Sequence, residues 1–117
     1  MERWLRATRN SWHGLLAAAR SESAIREELV ALLLAVPLAF LIGEGAWRRV
    51  LLIGAVLVLL IVELLNTAIE KLADRVTMAI DPKIGQVKDM GSAAVGLTLL
   101  IVGAVWLLAL AERLGWM

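Results

Sequence analysis

The stretch of residues 50–75 decides the fold, and it reads VLLIGAVLVLLIVELLNTAIEKLADR. Its first thirteen residues are uncharged and almost entirely aliphatic, so every face of a helix made from them is apolar. From Glu63 onward, polar residues recur at helical spacing, and the whole run contains no proline. We therefore predict one continuous helix over 48–75 that begins in an apolar environment and ends in a polar one.

The whole chain is more apolar than a soluble protein of its size can be. Its 117 residues are 61% hydrophobic, and the mean hydropathy is +0.81. A soluble domain this short hides only about 60–70% of its unfolded surface from water, which is too little to cover so many apolar side chains. We therefore expect the lipid bilayer to be the solvent of the apolar segments.

Two further apolar runs flank this helix. Residues 90–111 carry no charge and form the clearest membrane span. The run of residues 29–42 reaches the required length of about 20 residues only if the charged residues at 26–28 lie at one membrane face. We expect an all-α integral membrane bundle, one domain over 1–117, with three transmembrane helices over 24–43, 48–75 and 88–112.

The connections set how these helices are arranged. The connection of residues 43–49 is short, so the first two spans should form an antiparallel hairpin. The second connection, from about residue 76 to residue 87, contains Asp81-Pro82 and Gly85, which are turn signals. We expect this second connection to be a loop that is long enough to become ordered around a ligand.

Lysine and arginine are distributed unequally between the two sides of the predicted bundle. Nine of the 12 are predicted to lie on one side, at positions 3, 6, 9, 20, 26, 71, 75, 83 and 88, and three on the opposite side, at positions 48, 49 and 113. The positive-inside rule therefore places the N-terminus in the cytoplasm and the C-terminus in the periplasm of a multi-pass bacterial inner-membrane protein. Trp47 and Trp116 fit an aromatic belt at the outer interface.

Residues 1–21 form a separate amphipathic segment. Trp4, Trp12 and Leu16 recur at helical spacing, whereas the arginines at positions 3, 6 and 9 lie mostly on other faces. Such a pattern is typical of a helix that lies in the headgroup layer of a membrane. The alternative, a cytosolic helix packed on the second connection, remains open at this point.

A stripe of polar side chains runs along the second half of the central helix. Glu63, Asn66, Thr67, Glu70 and Asp74 fall within an arc of about 100° and extend over about 16 Å of helix. A carboxylate near the hydrocarbon boundary costs about 2.5–3.5 kcal/mol on insertion scales, so Glu63 is a functional candidate. The alternative is that these groups are interhelical hydrogen-bonding groups, worth about 0.6 kcal/mol each.

The other two spans bring polar groups to the same membrane face. The first begins with Glu22, Arg26 and Glu28, where Arg26 has the i,i+4 spacing of an ordinary ion pair with Glu22. The third begins with Lys88 and Asp89. Carboxylates are the ligands that Mg²⁺ prefers, and a lysine suits a nucleotide phosphate. The chain has no cysteine, one histidine and no Walker-type loop, so these patterns alone predict a metal-assisted polar site without specifying its reaction.

Four segments resemble the motifs of the prokaryotic diacylglycerol kinase family. They are ELLNTAIEKLADR at 63–75, KDMGSAAV at 88–95, SWHGL at 11–15 and ESAIREE at 22–28. The resemblance covers nearly the whole chain. It implies three transmembrane helices and a surface helix per subunit, a homotrimer, and active sites between neighbouring subunits that take cytosolic MgATP and a lipid from the bilayer.

The resemblance also implies roles for individual residues. Glu63 matches the general base that takes the proton of the lipid's primary hydroxyl, with Asn66 beside it, and Glu22 and Glu70 match the carboxylates that bind Mg²⁺. The positions that match nucleotide-binding or supporting residues are Lys88, Asp89, Glu28, Asp74, Arg3 and Trp12. The implied reaction is in-line transfer of the γ-phosphate of ATP to diacylglycerol, which gives phosphatidic acid in phospholipid metabolism.

Three points stay open within this resemblance. Residues 79–86 lack the histidine and glutamates with which many family members line the adenosine pocket, so the contacts to the base are undetermined. Undecaprenol kinases share the E-x-x-N-x-x-x-E core, although the run at 90–95 is more similar to the diacylglycerol enzymes of Gram-negative bacteria. A non-enzymatic membrane regulator would use buried acids as an ion relay, but here the polar stripe stops at Glu63. No nucleic-acid partner is expected.

Overall fold

The computed structural model describes residues 1–117 as four helices and no strands, which confirms the all-α prediction. The helices are α1 (Glu2–Ser21), α2 (Ser23–Ile42), α3 (Ala46–Val76) and α4 (Pro82–Arg113). The central stretch is one continuous helix, because α3 runs unbroken from the uncharged segment into the polar stripe.

The first two helices meet at a single residue, Glu22, whose backbone is extended with φ −124° and ψ 120°. Arg26 stabilises this junction, because its guanidinium donates hydrogen bonds to the carbonyl oxygens of Ala19 at 2.9 Å and Arg20 at 3.2 Å. These carbonyls belong to the last turn of α1. The carbonyl groups of a last turn have no N–H donors within their own helix. Arg26 is therefore the C-terminal cap of α1 rather than the ion-pair partner of Glu22.

The second connection is much shorter than expected, because α4 begins at Pro82. The Asp81 carboxylate accepts hydrogen bonds from the backbone N–H groups of Lys83 at 2.9 Å and Ile84 at 3.3 Å, and Pro82 occupies the first helical position. An aspartate followed by proline is a helix start as well as a turn signal. The expectation of a long loop over 76–87 was wrong, because residues 82–87 are helical and the connection spans only 77–81.

Two of the four helices, α3 and α4, are long and apolar enough to cross a bilayer. They have 31 and 32 residues, and only 33% and 11% of their apolar segments are buried, unlike the core helix of a soluble protein. The expected span over 24–43 corresponds to α2, which is not one of these two helices. The charges at 26–28 shorten its apolar run, as the sequence already indicated.

The long helix α3 is the centre of the packing, with α4 along one side and α2 along another. One small core joins Ala18, Ile25 and Leu60 near the α1–α2 junction, and another joins Ala39, Leu52 and Ala109 at the opposite end. Only 14 of the 117 residues are buried within the chain, so lipid or other protein must cover the remaining apolar surface.

The end of the bundle around Gly43 and Gly45 is closed by ion pairs. Arg48 contacts Glu112 through two nitrogen–oxygen distances of 3.1 Å, and Arg113 lies 3.8 Å from Glu44. Gly45 permits the turn between α2 and α3, because its φ of +90° is unfavourable for any residue with a Cβ. Two acidic and two basic side chains at this end are therefore paired, and Arg49 donates instead to the carbonyl oxygen of Gly43 at 3.2 Å.

Candidate active site

The polar stripe of α3 is organised by helix geometry. Asn66 and Glu70 are four residues apart on the same face, and the Asn66 side-chain nitrogen donates a hydrogen bond to Glu70 Oε1 at 3.1 Å. Glu63 and Asn66 are partly buried, Thr67 is buried, and Glu70 and Asp74 are exposed. The stripe therefore passes from a shielded region to a solvated one, and its carboxylates face environments of different polarity.

Gly91 of α4 sets how closely that helix approaches the stripe. A Cβ at position 91 would collide with the side-chain oxygen of Asn66, so only glycine permits this contact. Gly91 is buried, although it lies inside a 32-residue helix in which several other glycines have open space around them. Our prediction of site residues did not include Gly91, because a glycine in a helix does not reveal which side chain packs against it.

Two buried side-chain oxygens in this region have no hydrogen-bond partner within the chain, Glu28 Oε2 and Asn66 Oδ1. Glu28 lies on α2 and Asn66 on α3, two helices that pack against each other. Unpartnered buried oxygens are costly and are uncommon in folded proteins. Each of these oxygens favours a hydrogen-bond donor such as a hydroxyl, or a cation.

Lys88 lies on the solvated side of the same layer. Its ammonium contacts Asp74 Oδ1 at 2.5 Å, and both side chains are a little under half exposed. The pair joins the start of α4 to the end of the α3 stripe. The structure thus brings together two of the predicted site residues that lie 14 positions apart in the chain, and it leaves the lysine accessible to a phosphate.

Glu22 and Glu70, the two predicted metal ligands, lie at the α1–α2 junction and on the polar stripe of α3. No group of three or more histidine, aspartate or glutamate side chains comes together at metal-binding spacing within the chain. Carboxylate oxygens nevertheless suit Mg²⁺, which commonly takes one or two protein carboxylates and completes its shell with water and substrate phosphates. The donor set therefore fits the expected ion.

Three of the predicted site residues lie apart from this layer. Arg3, Trp12 and Asp89 are exposed and make no hydrogen bond or ion pair with it. The guanidinium of Arg3 lies 5.8 Å from the ring of the neighbouring Trp4, and Trp12 is 63% exposed on the same helix. Within a single chain, Arg3 and Trp12 thus form no hydrogen bond or ion pair with the groups that they were expected to assist.

A groove of about 600 Å³ separates α1 from α3. Its wall is mainly aliphatic, and its polar lining residues are Ser11, Thr67 and Lys71. Thr67 also belongs to the polar stripe, so one wall of the groove is formed by the same part of α3 that carries the carboxylates. An amphiphile fits this combination, with its apolar part in the groove and its polar end towards the stripe.

The chain is similar to known proteins along almost its full length. The model of the family "Prokaryotic diacylglycerol kinase" matches residues 9–110. The diacylglycerol kinase of Escherichia coli strain K12 is 42% identical, with 97% of this chain and 93% of that protein covered. The diacylglycerol kinase of Pseudomonas aeruginosa is also 42% identical, over 91% of this chain and 86% of that protein. The Haemophilus influenzae diacylglycerol kinase is 38% identical, over 87% and 86%.

Proposed function

The chain belongs to the prokaryotic diacylglycerol kinase family, and from this membership we propose that it transfers the γ-phosphate of ATP to the primary hydroxyl of diacylglycerol. The product is phosphatidic acid. The observation that supports particular residues is that two buried oxygens without a hydrogen-bond partner, Glu28 Oε2 and Asn66 Oδ1, occur in a bundle where Thr67 of the polar stripe also lines an apolar groove. A lipid alcohol needs both features, because its acyl chains require apolar contacts and its hydroxyl requires an acceptor.

In this proposal, Glu63 is the general base. Its carboxylate accepts the hydroxyl proton as the oxygen of the lipid attacks the γ-phosphorus, and ADP leaves on the opposite side. Asn66 fixes the neighbouring polar geometry through its hydrogen bond to Glu70, and Glu28 offers a second acceptor for the substrate hydroxyl. Because the carboxylates lie at graded depth along α3, one helix serves both a lipid and a water-soluble nucleotide.

Glu22 and Glu70 are the residues that we propose to hold Mg²⁺. The ion, when bound with ATP, supplies positive charge that shields the triphosphate and favours phosphoryl transfer. Lys88 contributes a further positive charge, and it is already directed towards this layer by Asp74. In the same scheme Asp74 and Asp89 are supporting residues, and Arg3 and Trp12 belong to the nucleotide site.

We further propose that α2, α3 and α4 all span the bacterial inner membrane, with α1 as a surface helix over 1–21. The start of α2 would then lie in the headgroup layer, where Arg26 and the acids beside it remain hydrated. The N-terminus would be cytoplasmic and the C-terminus periplasmic. A homotrimer with sites between subunits would cover part of the exposed apolar surface, and it would let Arg3 and Trp12 of one chain reach the polar layer of another.

Lipid phosphorylation by the purified protein in mixed micelles tests this proposal. Each reaction contains MgATP labelled in the γ-phosphate and either diacylglycerol or undecaprenol. Faster labelling of diacylglycerol is the expected result. Faster labelling of undecaprenol would retain the mechanism and replace the substrate, whereas no labelling of either lipid by folded protein would overturn the kinase assignment in favour of a non-enzymatic role.

A further inference from the structure

Lys71 makes contacts that the motifs of this chain do not account for. It directly follows Glu70 on α3, and its ammonium lies 3.0 Å from Ser21 Oγ and 3.5 Å from Glu22 Oε1. These contacts join the middle of the chain to the α1–α2 junction, about 50 residues earlier. The ammonium therefore contacts Glu22, one of the two carboxylates that we assign to the metal.

Glu22 has no other charged partner. Arg26, which has the i,i+4 spacing of an ion-pair partner, donates to the carbonyl oxygens of α1 instead. The extended backbone at Glu22 belongs to neither helix, so its carboxylate is positioned by the contact with Lys71 rather than by a helical neighbour. A cation arriving at Glu22 thus meets an oxygen that already has a positive partner.

We propose that Lys71 is a built-in counter-ion that competes with the divalent metal for Glu22, and this proposal rests on the proposed function. Two effects act in the same direction. Metal binding must displace the ammonium from Oε1, and the remaining positive charge repels the metal even after displacement. Lys71 thereby lowers the affinity of the site for a free metal ion and raises the metal concentration at which it fills.

The exposure of the pair makes such displacement feasible. The side chain of Lys71 is 54% exposed and that of Glu22 is 38% exposed, so the ammonium can move into water without being buried unpaired. Exposed ion pairs are weak. A divalent ion attracts a carboxylate more strongly than a singly charged ammonium does. The competition is therefore expected to adjust metal affinity moderately and not to block the site.

The test is a titration of full-length protein in detergent micelles with Mn²⁺, in which the electron paramagnetic resonance signal reports the free ion. Neither ATP nor lipid is present. Lys71→Met keeps most of the side chain and removes the charge, so it should bind Mn²⁺ about three- to tenfold more tightly than the wild type. Lys83→Met is the matched control, because it removes an equal charge at an exposed position without an ion pair, and it should change the affinity less than about twofold.

A double-mutant comparison identifies the carboxylate involved. In a Glu22→Gln background, Lys71→Met should lose its effect, since the shared oxygen no longer carries a charge. Unchanged or weaker Mn²⁺ binding by Lys71→Met, an equal gain in the Glu22→Gln background, or no saturable binding by any variant would each overturn the proposal. Lipid phosphorylation by the wild type is measured separately, so an inactive protein with the expected Mn²⁺ pattern would reject the kinase assignment and keep the role of Lys71.

Discussion

The side-chain oxygen of Asn66 fills the space that a Cβ would need at Gly91. This contact places α4 directly against the polar stripe of α3, next to the hydrogen bond between Asn66 and Glu70. The position of Asn66 is therefore determined from two sides, by its own helix and by the backbone of the neighbouring one. A change at residue 91, which bears no functional group, should reach the proposed active site through this amide.

Gly91→Ala should reduce lipid phosphorylation at least about tenfold, because the added methyl must displace the side-chain amide of Asn66, while the free energy of unfolding should change by no more than about 1 kcal/mol, since the amide can rotate away and alanine favours the helix. Gly96→Ala on the same helix is the control. Nothing lies within 4 Å of a Cβ at position 96, so this variant should keep its activity and be slightly more stable. Activity and thermal unfolding in micelles would measure both effects, and equal behaviour of the two variants would contradict the role of the contact.

Glu63→Gln should abolish phosphoryl transfer while leaving expression and folding normal. The amide keeps the size of the side chain but cannot accept the substrate proton. The measurement is the initial rate of diacylglycerol phosphorylation, with Glu2→Gln on the exposed start of α1 as a control. Activity above about a tenth of the wild-type rate would contradict the assignment of Glu63 as general base.

Lys88→Met should raise the KM for MgATP about tenfold, because the variant loses one charge-assisted contact to a phosphate. The effect on stability should be small, since the ion pair with Asp74 is largely solvated. Steady-state kinetics with ATP as the varied substrate provide the measurement. Lys83→Met serves again as the charge-matched variant, and the same rise in KM for both lysines would indicate a general field effect instead of a contact.

Trp106→Phe should lower the free energy of unfolding by about 1 kcal/mol, with little effect on activity. The indole nitrogen of Trp106 donates a hydrogen bond of 3.1 Å to the carbonyl oxygen of Leu52 on α3, and phenylalanine lacks this donor. Trp47→Phe is the comparison, because Trp47 is 80% exposed and makes no such bond. A larger loss for Trp47 than for Trp106 would show that this hydrogen bond is not what holds the two helices together.

The parts of the structure that depend on one helix alone were predictable from the residues. The contact between Asn66 and Glu70 follows from i,i+4 spacing, and the continuity of α3 follows from a run without proline. Contacts between helices were not predictable in the same way. The contact of Gly91 with Asn66 and that of Lys71 with Glu22 join residues far apart in the chain, and the spacing of residues along one helix does not indicate either of them.

The early start of α4 had a different cause. Asp81-Pro82 is compatible with both a loop and a helix start, and the choice depends on whether the aspartate caps the following N–H groups. The motifs from residue 63 to residue 75 and from residue 88 to residue 95 indicated the family correctly. They did so because a motif match depends on residue types and their spacing, independently of how the connection between the motifs is folded.

The length of α3 has a consequence for the thickness of the membrane around it. At 1.5 Å per residue, its 31 residues extend over about 46 Å, and Glu63 lies about 26 Å from the end at Ala46. A hydrocarbon layer of about 30 Å that begins at Val50, just past Arg48 and Arg49, would reach its far boundary near Glu70, with Glu63 about 10 Å inside it. Lipids with shorter chains would bring the proposed base closer to the boundary, and lipids with longer chains would place it deeper in the hydrocarbon layer. The spacing between Trp47 and Glu63 therefore determines how deep Glu63 lies in a bilayer of a given hydrocarbon thickness.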